Sequence, residues 1–452
     1  MWLVLPDPLP TRVFFDCGVV DLLGAELGDR LELVFLMPDE LADAWVPRAT
    51  GIRTSRRDDV FPPRVALAER IRRRADRSLD GWIGFYPLAI RINLRHGFHR
   101  GRMEPGHRNR FLDPTAAGPL PRWGWLEAAM RWWLYGRLRY VPSVLWARLR
   151  AERPALVLSN LQVEAVVPLI AAARRLQLPL VGYVSSWDHT VGKGAVYPGM
   201  DAYVVQNEVM RDDLVRYHGV DPSRVVVTGW PQTDVFHRRR PRSDYDALLT
   251  GYGLDPARPL VLVMGNTPTN APYEARFVER LVRWWEESGA RERFSLLFRP
   301  HPRDSRFEER FAAARGRPGV YLQTPSYTDI ETLAVLLQHG DCVVTNAGTI
   351  LLDSLVNDRP AVCVLYDEGA PPGESWAAKN ATGEHYRQLM ESEAFHRARS
   401  FDQVVAGIER ALEHPGELAV ERGRVAREVV GEVDGGAARR VTAAVLETVG
   451  RT

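Results

Sequence analysis

Lysine is almost missing from this sequence. Of 59 basic residues only Lys193 and Lys379 are lysines, so arginine supplies nearly all the positive charge and the two lysines stand out. Cysteine is scarce as well: Cys17, Cys342 and Cys363 have no metal-ligand spacing. That argues against a zinc module or a disulfide framework and for three small buried residues. No apolar run approaches about 18 residues, the length a membrane-spanning helix needs. The opening MWLVLPDPLPTRVFFD lacks a basic leader and a cleavage site, and prolines break its apolar start, so a cytoplasmic protein is expected. Internal repeats and low-complexity tracts are also missing. Residues 1–150 hold 24 arginines against 17 acids. These arginines are dispersed and no nucleic-acid module accompanies them, so nucleic acid is not an expected partner.

The 452 residues, 45% hydrophobic and 26% charged, are enough for two domains with full cores. Short apolar runs alternate with amphipathic stretches, the rhythm of parallel α/β sheets. Arg12–Phe15 reads as a first strand, Val19–Leu27 as a helix and Leu31–Met37 as a second strand, with a further helix over 62–77. The rhythm resumes with strands at 155–158, 180–184, 202–205 and 225–228. A charged, turn-rich stretch at 237–258 interrupts it. A second set follows, with strands at 260–264, 294–299, 320–322, 342–344 and 361–366, and closing helices at 401–413 and 436–449. The fold class is therefore α/β, with two Rossmann-like domains facing each other across a cleft. The expected limits are 1–238 for an N-terminal acceptor domain, 239–256 for a linker, 257–432 for a C-terminal donor-binding domain and 433–452 for a closing helix.

Four segments fall at strand exits, where such sheets bind ligands. Asp341–Glu368 is the most informative. A strand enters the small-residue run Asn346-Ala347-Gly348-Thr349 at a helix start, where N–H groups and the helix dipole can hold phosphate. Asp353, one turn on, can accept from ribose hydroxyls; the same run also reads as plain helix capping. Gly265-Asn266 after strand 260–264 is a companion wall. In Arg299-Pro300-His301-Pro302-Arg303, two prolines fix His301 and the arginines suit phosphate oxygens. In the first domain, Trp187-Asp188-His189-Thr190-Val191-Gly192-Lys193 gathers an acid, an imidazole and a rare lysine. Asp188 or His189 can take a proton from an acceptor hydroxyl and Lys193 can hold an anion, or the run is a turn with Asp188 as a cap. Gly229-Trp230-Pro231-Gln232-Thr233-Asp234 shapes a turn at the end of that domain, at a ligand wall or a structural corner.

In this order the segments resemble GT-B glycosyltransferases of bacterial surface-polysaccharide type, and the related CDP-glycerol glycerophosphotransferases and UDP-N-acetylglucosamine 2-epimerases. The glycerophosphotransferases carry Trp-His-Gly-Thr-Pro-Leu-Lys. Trp187–Lys193 keeps its Trp, Thr and Lys but has Asp188 where that family's catalytic His stands. Their Gly-x-Pro-Arg-x-Asp is similar to Gly229–Asp234, with Gln232 for Arg, and their His-Pro to His301-Pro302. The epimerases' nucleotide-holding Asp-Ser-Gly-Gly run followed by Glu is similar to Asn346–Thr349 with Asp353.

The resemblance implies a metal-independent glycosyltransferase without a cofactor, its nucleotide-activated donor being a substrate. Asp188, His189 and His301 are the expected catalytic residues. Lys193, Gly229, Asp234, Gly265, Asn266, Arg299, Asn346, Gly348, Thr349 and Asp353 are the expected binding residues. The expected acceptor is a surface glycan or a lipid-linked molecule. Glycerol phosphate transfer from CDP-glycerol is one alternative, and a nucleotide-binding assembly protein without turnover is another. Residues 122–150 mix Trp123, Trp125, Trp132, Trp133 and Trp146 with arginines, which fits either packing on the sheet or contact with the inner face of a membrane. The basic run 95–110 reads as a solvated loop.

Overall fold

The computed structural model describes residues 1–61, 71, 140–161, 163–192, 196–371, 376–381 and 383–450. The chain divides into two compact units, one formed by Met1–Asp234 with Gly436–Thr452 and the other by Val235–Gly435. The helix expected over 62–77 falls almost wholly outside the described residues, as do the basic run 95–110, the aromatic run 122–139 and Lys193.

The first unit is a parallel sheet of seven strands: β1 Trp2–Leu5, β2 Glu32–Phe35, β3 Arg53–Ser55, β4 Leu156–Leu158, β5 Leu180–Tyr183, β6 Ala202–Val205 and β7 Val225–Val227. Their spatial order is β3-β2-β1-β4-β5-β6-β7. The first strand is thus Trp2–Leu5, and Arg12–Phe15, expected to be a strand, lies in the helix Pro8–Asp16. The prolines that break the apolar start are what begin this helix. Asp7 accepts from the Leu9 N–H at 2.9 Å, and proline is tolerated in a first helical turn because no N–H is needed there.

The second unit is a parallel sheet of six strands: β8 Leu260–Met264, β9 Ser295–Arg299, β10 Val320–Leu322, β11 Cys342–Thr345, β12 Ala361–Val364 and β13 His396–Ala398. Their order is β10-β9-β8-β11-β12-β13. The central strands β8, β11 and β12 are short continuous apolar runs because helices cover both faces. Val261, Val263, Leu296, Phe298, Val344 and Val362 meet the helix Glu274–Glu287 and the helix Phe401–Glu413 in one core. Strand order reverses between β8 and β11, so the loops leaving these neighbours diverge and open a crevice at their carboxyl ends.

Two boundaries differ from the sequence reading. Most of the 239–256 stretch is the helix Arg242–Gly251 rather than an open linker. The closing helix Ala437–Gly450 packs in the first unit, against β5, β6 and the helix Val19–Leu27.

Candidate functional site

At the reversal of the second sheet, Thr345 donates its hydroxyl to the Met264 carbonyl at 3.2 Å, and Asn346 donates its amide to the Val364 carbonyl at 3.0 Å. The chain leaving β11 is thereby tied to the strands on both sides. Gly348 is the N-cap of the helix Thr349–Val356 and brings no side-chain cap to it. The first-turn N–H groups are left to other acceptors, the arrangement that suits an anion. Asp353 lies one turn inside this helix and is only 2% exposed, so it is a buried acid rather than one presented at the surface.

Gly265 follows β8, the strand paired beside β11. A Cβ there would come within 2.8 Å of the Phe311 ring and 3.2 Å of Pro300 Cα, so only glycine lets β8 exit this close to the His301 segment. The Asn266 N–H donates to Glu274 Oε1 at 2.9 Å. Behind that bond is a buried ionic cluster. Arg310 pairs with Glu274 at 2.6 Å and with Asp304, and it also donates to the Asn266 and Ala271 carbonyls at 3.1 and 2.8 Å. Burial pushes the Glu274 carboxyl up to about 7 against the downward pull of Arg310. This cluster fixes the 265–271 loop. The chain that carries Arg310 inward is a short helix, Phe307–Arg310, followed by a 3-10 turn, Ala312–Ala314. A shallow, open pocket lies along the exits of β8, β11 and β12, with Tyr273, Glu274, Phe277, Asn346, Tyr366 and Asp367 among its walls.

Arg299 leaves β9 and bonds to Asp329, through Oδ2 at 3.0 Å and the carbonyl at 2.7 Å, and to Gln323. It braces the β9 and β10 exits. His301 accepts the Arg303 N–H on Nδ1 at 3.0 Å. A neutral ring in that bond carries its proton on Nε2, so this nitrogen is a donor.

In the first unit the segment after β5 brings Asp188 and His189 together, with Asp188 Oδ1 4.0 Å from His189 Nε2. The Ser186 hydroxyl donates to the same carboxylate oxygen at 2.6 Å, and Ser185 Oγ is 3.4 Å from His189 Nδ1. Gly229 has φ +80, a conformation glycine adopts without strain. Asp234 accepts from the Ala437 and Ala438 N–H groups at 3.1 and 2.8 Å, so it caps the closing helix. Of the aromatic stretch, Tyr140 and the helix Ser143–Glu152 are described; Tyr140, Leu145 and Leu149 are buried, and Arg148 reaches Glu32.

Sequence reasoning missed Tyr273, Glu274, Arg310 and Tyr366. One arginine among dozens gives no local signal. Tyr366 did end an expected strand, and that position was the only hint it gave.

A model of the family described as CDP-glycerol:poly(glycerophosphate) glycerophosphotransferase matches residues 192–447. A comparison with curated proteins finds no significant match. Among solved structures, a UDP-GlcNAc 2-epimerase from Neisseria meningitidis, bound to UDP-GlcNAc, is similar at 9% identity. It covers 99% of this chain and 100% of its own, with a TM-score of 0.54. A protein from Listeria monocytogenes described as a candidate UDP-N-acetylglucosamine 2-epimerase shares 13% identity over 100% of this chain and 96% of its own, with a TM-score of 0.55. A glycosyltransferase from Rickettsia africae shares 10% identity over 100% and 98%, with a TM-score of 0.50. These likenesses establish the fold, two Rossmann-like units of GT-B type. With more than half of its length matched by the family model, the chain belongs to the glycerophosphotransferase family, a family of transferases.

Proposed function

We propose that this transferase moves a sugar from a nucleotide-diphosphate donor onto a hydroxyl of a surface-glycan or lipid-linked acceptor. The observation that carries the reading is the reversal point of the second sheet. There a helix start at Gly348–Thr349 without a side-chain cap follows Asn346, which lines a shallow open pocket with Tyr273 and Tyr366. Backbone N–H groups at that start suit the diphosphate, and the Nε2 proton of His301 suits charge developing on the leaving oxygen, without a metal. Gly265 and Asn266 follow the neighbouring strand β8, and Arg299 braces the β9 and β10 exits. Asp188, beside His189, takes the proton of the acceptor hydroxyl. The acceptor oxygen bonds to the anomeric carbon, the bond from that carbon to the donor phosphate breaks, and a nucleoside diphosphate leaves with the electron pair. Lys193 and Gly229 complete the acceptor side. A lipid-linked acceptor suits membrane contact by the 122–150 segment.

A second reading, transfer of glycerol phosphate from CDP-glycerol, is favoured by the family match over 192–447. Here the acceptor oxygen attacks phosphorus, the bond between the two phosphates breaks, and CMP leaves. Released nucleotide therefore separates the two. The full-length protein is incubated with UDP-glucose, GDP-mannose, dTDP-glucose and CDP-glycerol and a glycan acceptor, and the products are resolved by ion-exchange chromatography. A nucleoside diphosphate supports sugar transfer. CMP from CDP-glycerol replaces it with the second reading, and no release from any donor removes both.

A further inference from the structure

Thr190, inside the Asp188–Lys193 motif, is gripped at its hydroxyl and at its carbonyl by one neighbouring helix. That helix, Glu208–His218, starts directly after β6, with Asn207 as its N-cap accepting from the Met210 N–H at 2.8 Å. Asp213 Oδ2 accepts from the Thr190 hydroxyl at 2.7 Å. His218 Nε2 lies 2.6 Å from the Thr190 carbonyl oxygen, and His218 Nδ1 accepts the Val196 N–H at 3.1 Å. A carbonyl only accepts and a backbone N–H only donates. The two bonds together therefore require the neutral imidazole with its proton on Nε2. Thr190, Val196 and His218 are 0, 4 and 4% exposed, so solvent offers these groups no substitute partners.

One buried ring thus ties residue 190 to residue 196, the two ends of the stretch that holds Gly192, Lys193 and Gly194. Just upstream of the tied residue stand Asp188 and His189. The motif follows β5, yet its placement is set by a helix that belongs to the next strand. We infer that His218, with Asp213, is a positioning residue that aims Asp188 and His189. This rests on the reading of that pair as the acceptor-side base. Asp213 acts through Thr190, and His218 through Thr190 and Val196.

The test compares His218→Leu, which keeps bulk and loses both bonds, with His218→Gln, which retains one donor and one acceptor at a similar spacing. Amide hydrogen exchange on the full-length protein comes first. Exchange at residues 190–192 and at Val196 should be at least about tenfold faster in the Leu variant and near wild type in the Gln variant, with β8–β13 unchanged. Turnover comes second, with whichever of the four donors the wild type consumes. The Leu variant should lose on the order of 100-fold in kcat with the donor KM within about twofold, and Gln should recover most of it, because a small misplacement costs rate more than binding. A Leu variant with kcat within about threefold of wild type, or a Gln variant as impaired as Leu, overturns the inference. If His218→Leu does not fold, Asp213→Ala against Asp213→Asn makes the same comparison, since Asn keeps the acceptor. A wild type that consumes no donor strikes the transferase reading itself; the exchange data then decide the clamp, which unchanged exchange in His218→Leu refutes.

Discussion

Glu274 has a carboxyl that changes charge near neutral pH, and the cause is its burial beneath the 265–271 loop. Its pKa rises from an ordinary 4.5 to about 7, so between these values the folded protein binds more protons than the unfolded chain. The associated stability is present below about pH 4.5 and is lost as pH rises through 7, by on the order of 3 kcal/mol. The wild type should therefore show a steeper fall in Tm between pH 5 and 8 than Glu274→Gln, by thermal unfolding at closely spaced pH values. Parallel curves would mean that Arg310 keeps Glu274 ionised throughout. Asp188 makes a different prediction. Asp188→Asn keeps an acceptor for the Ser186 hydroxyl but cannot take a proton, so kcat should drop by about 10²–10⁴-fold while nucleotide affinity holds. Full activity in that variant would remove it as the base. The placement of Asp188 after β5 was legible because an apolar run ends just before it. Glu274 and Arg310 were not, since an inward-turned charge is defined by partners far off in sequence.

Elements read from periodicity fared best where the sheet is covered on both faces. Leu260–Met264 coincides with the central strand β8, because a buried parallel strand is one apolar run between turn residues. Trp2–Leu5 escaped notice because proline follows it, and a proline cluster reads as a break before it reads as a helix start. β3 and β13 are three-residue edge strands, Arg53–Ser55 and His396–Ala398, whose polar sequences carry no alternation to detect. Asp234 is a motif residue whose carboxylate caps the closing helix across some two hundred residues of chain. Asp234→Ala should cost about 1–2 kcal/mol, a Tm drop of a few degrees, and leave nucleotide binding within about twofold. A tenfold loss of nucleotide affinity with an unchanged Tm would return Asp234 to the donor site.

At the scale of the molecule, two parallel sheets were foreseeable from the strand–helix rhythm, and the strand order was not. Order depends on which faces bury one another, information spread along the whole chain. The order β10-β9-β8-β11-β12-β13 matters because its reversal sets where a donor can lie. A nucleotide at 100 times its Kd should stabilise the native protein by about 2.7 kcal/mol, visible as a raised Tm, and EDTA should leave both that shift and turnover unchanged if backbone N–H groups meet the phosphates. Loss of the shift in EDTA would place a metal in the site.

The first unit is discontinuous, since Gly436–Thr452 joins Met1–Asp234 around the inserted second unit. During synthesis the N-terminal sheet emerges early, yet the helix that covers β5 and β6 cannot dock until residues 437–450 have been made. The inserted unit can finish folding first, while an apolar strip on the older half waits uncovered. A nascent chain of this protein is therefore at greatest risk of aggregation in the half that was made first.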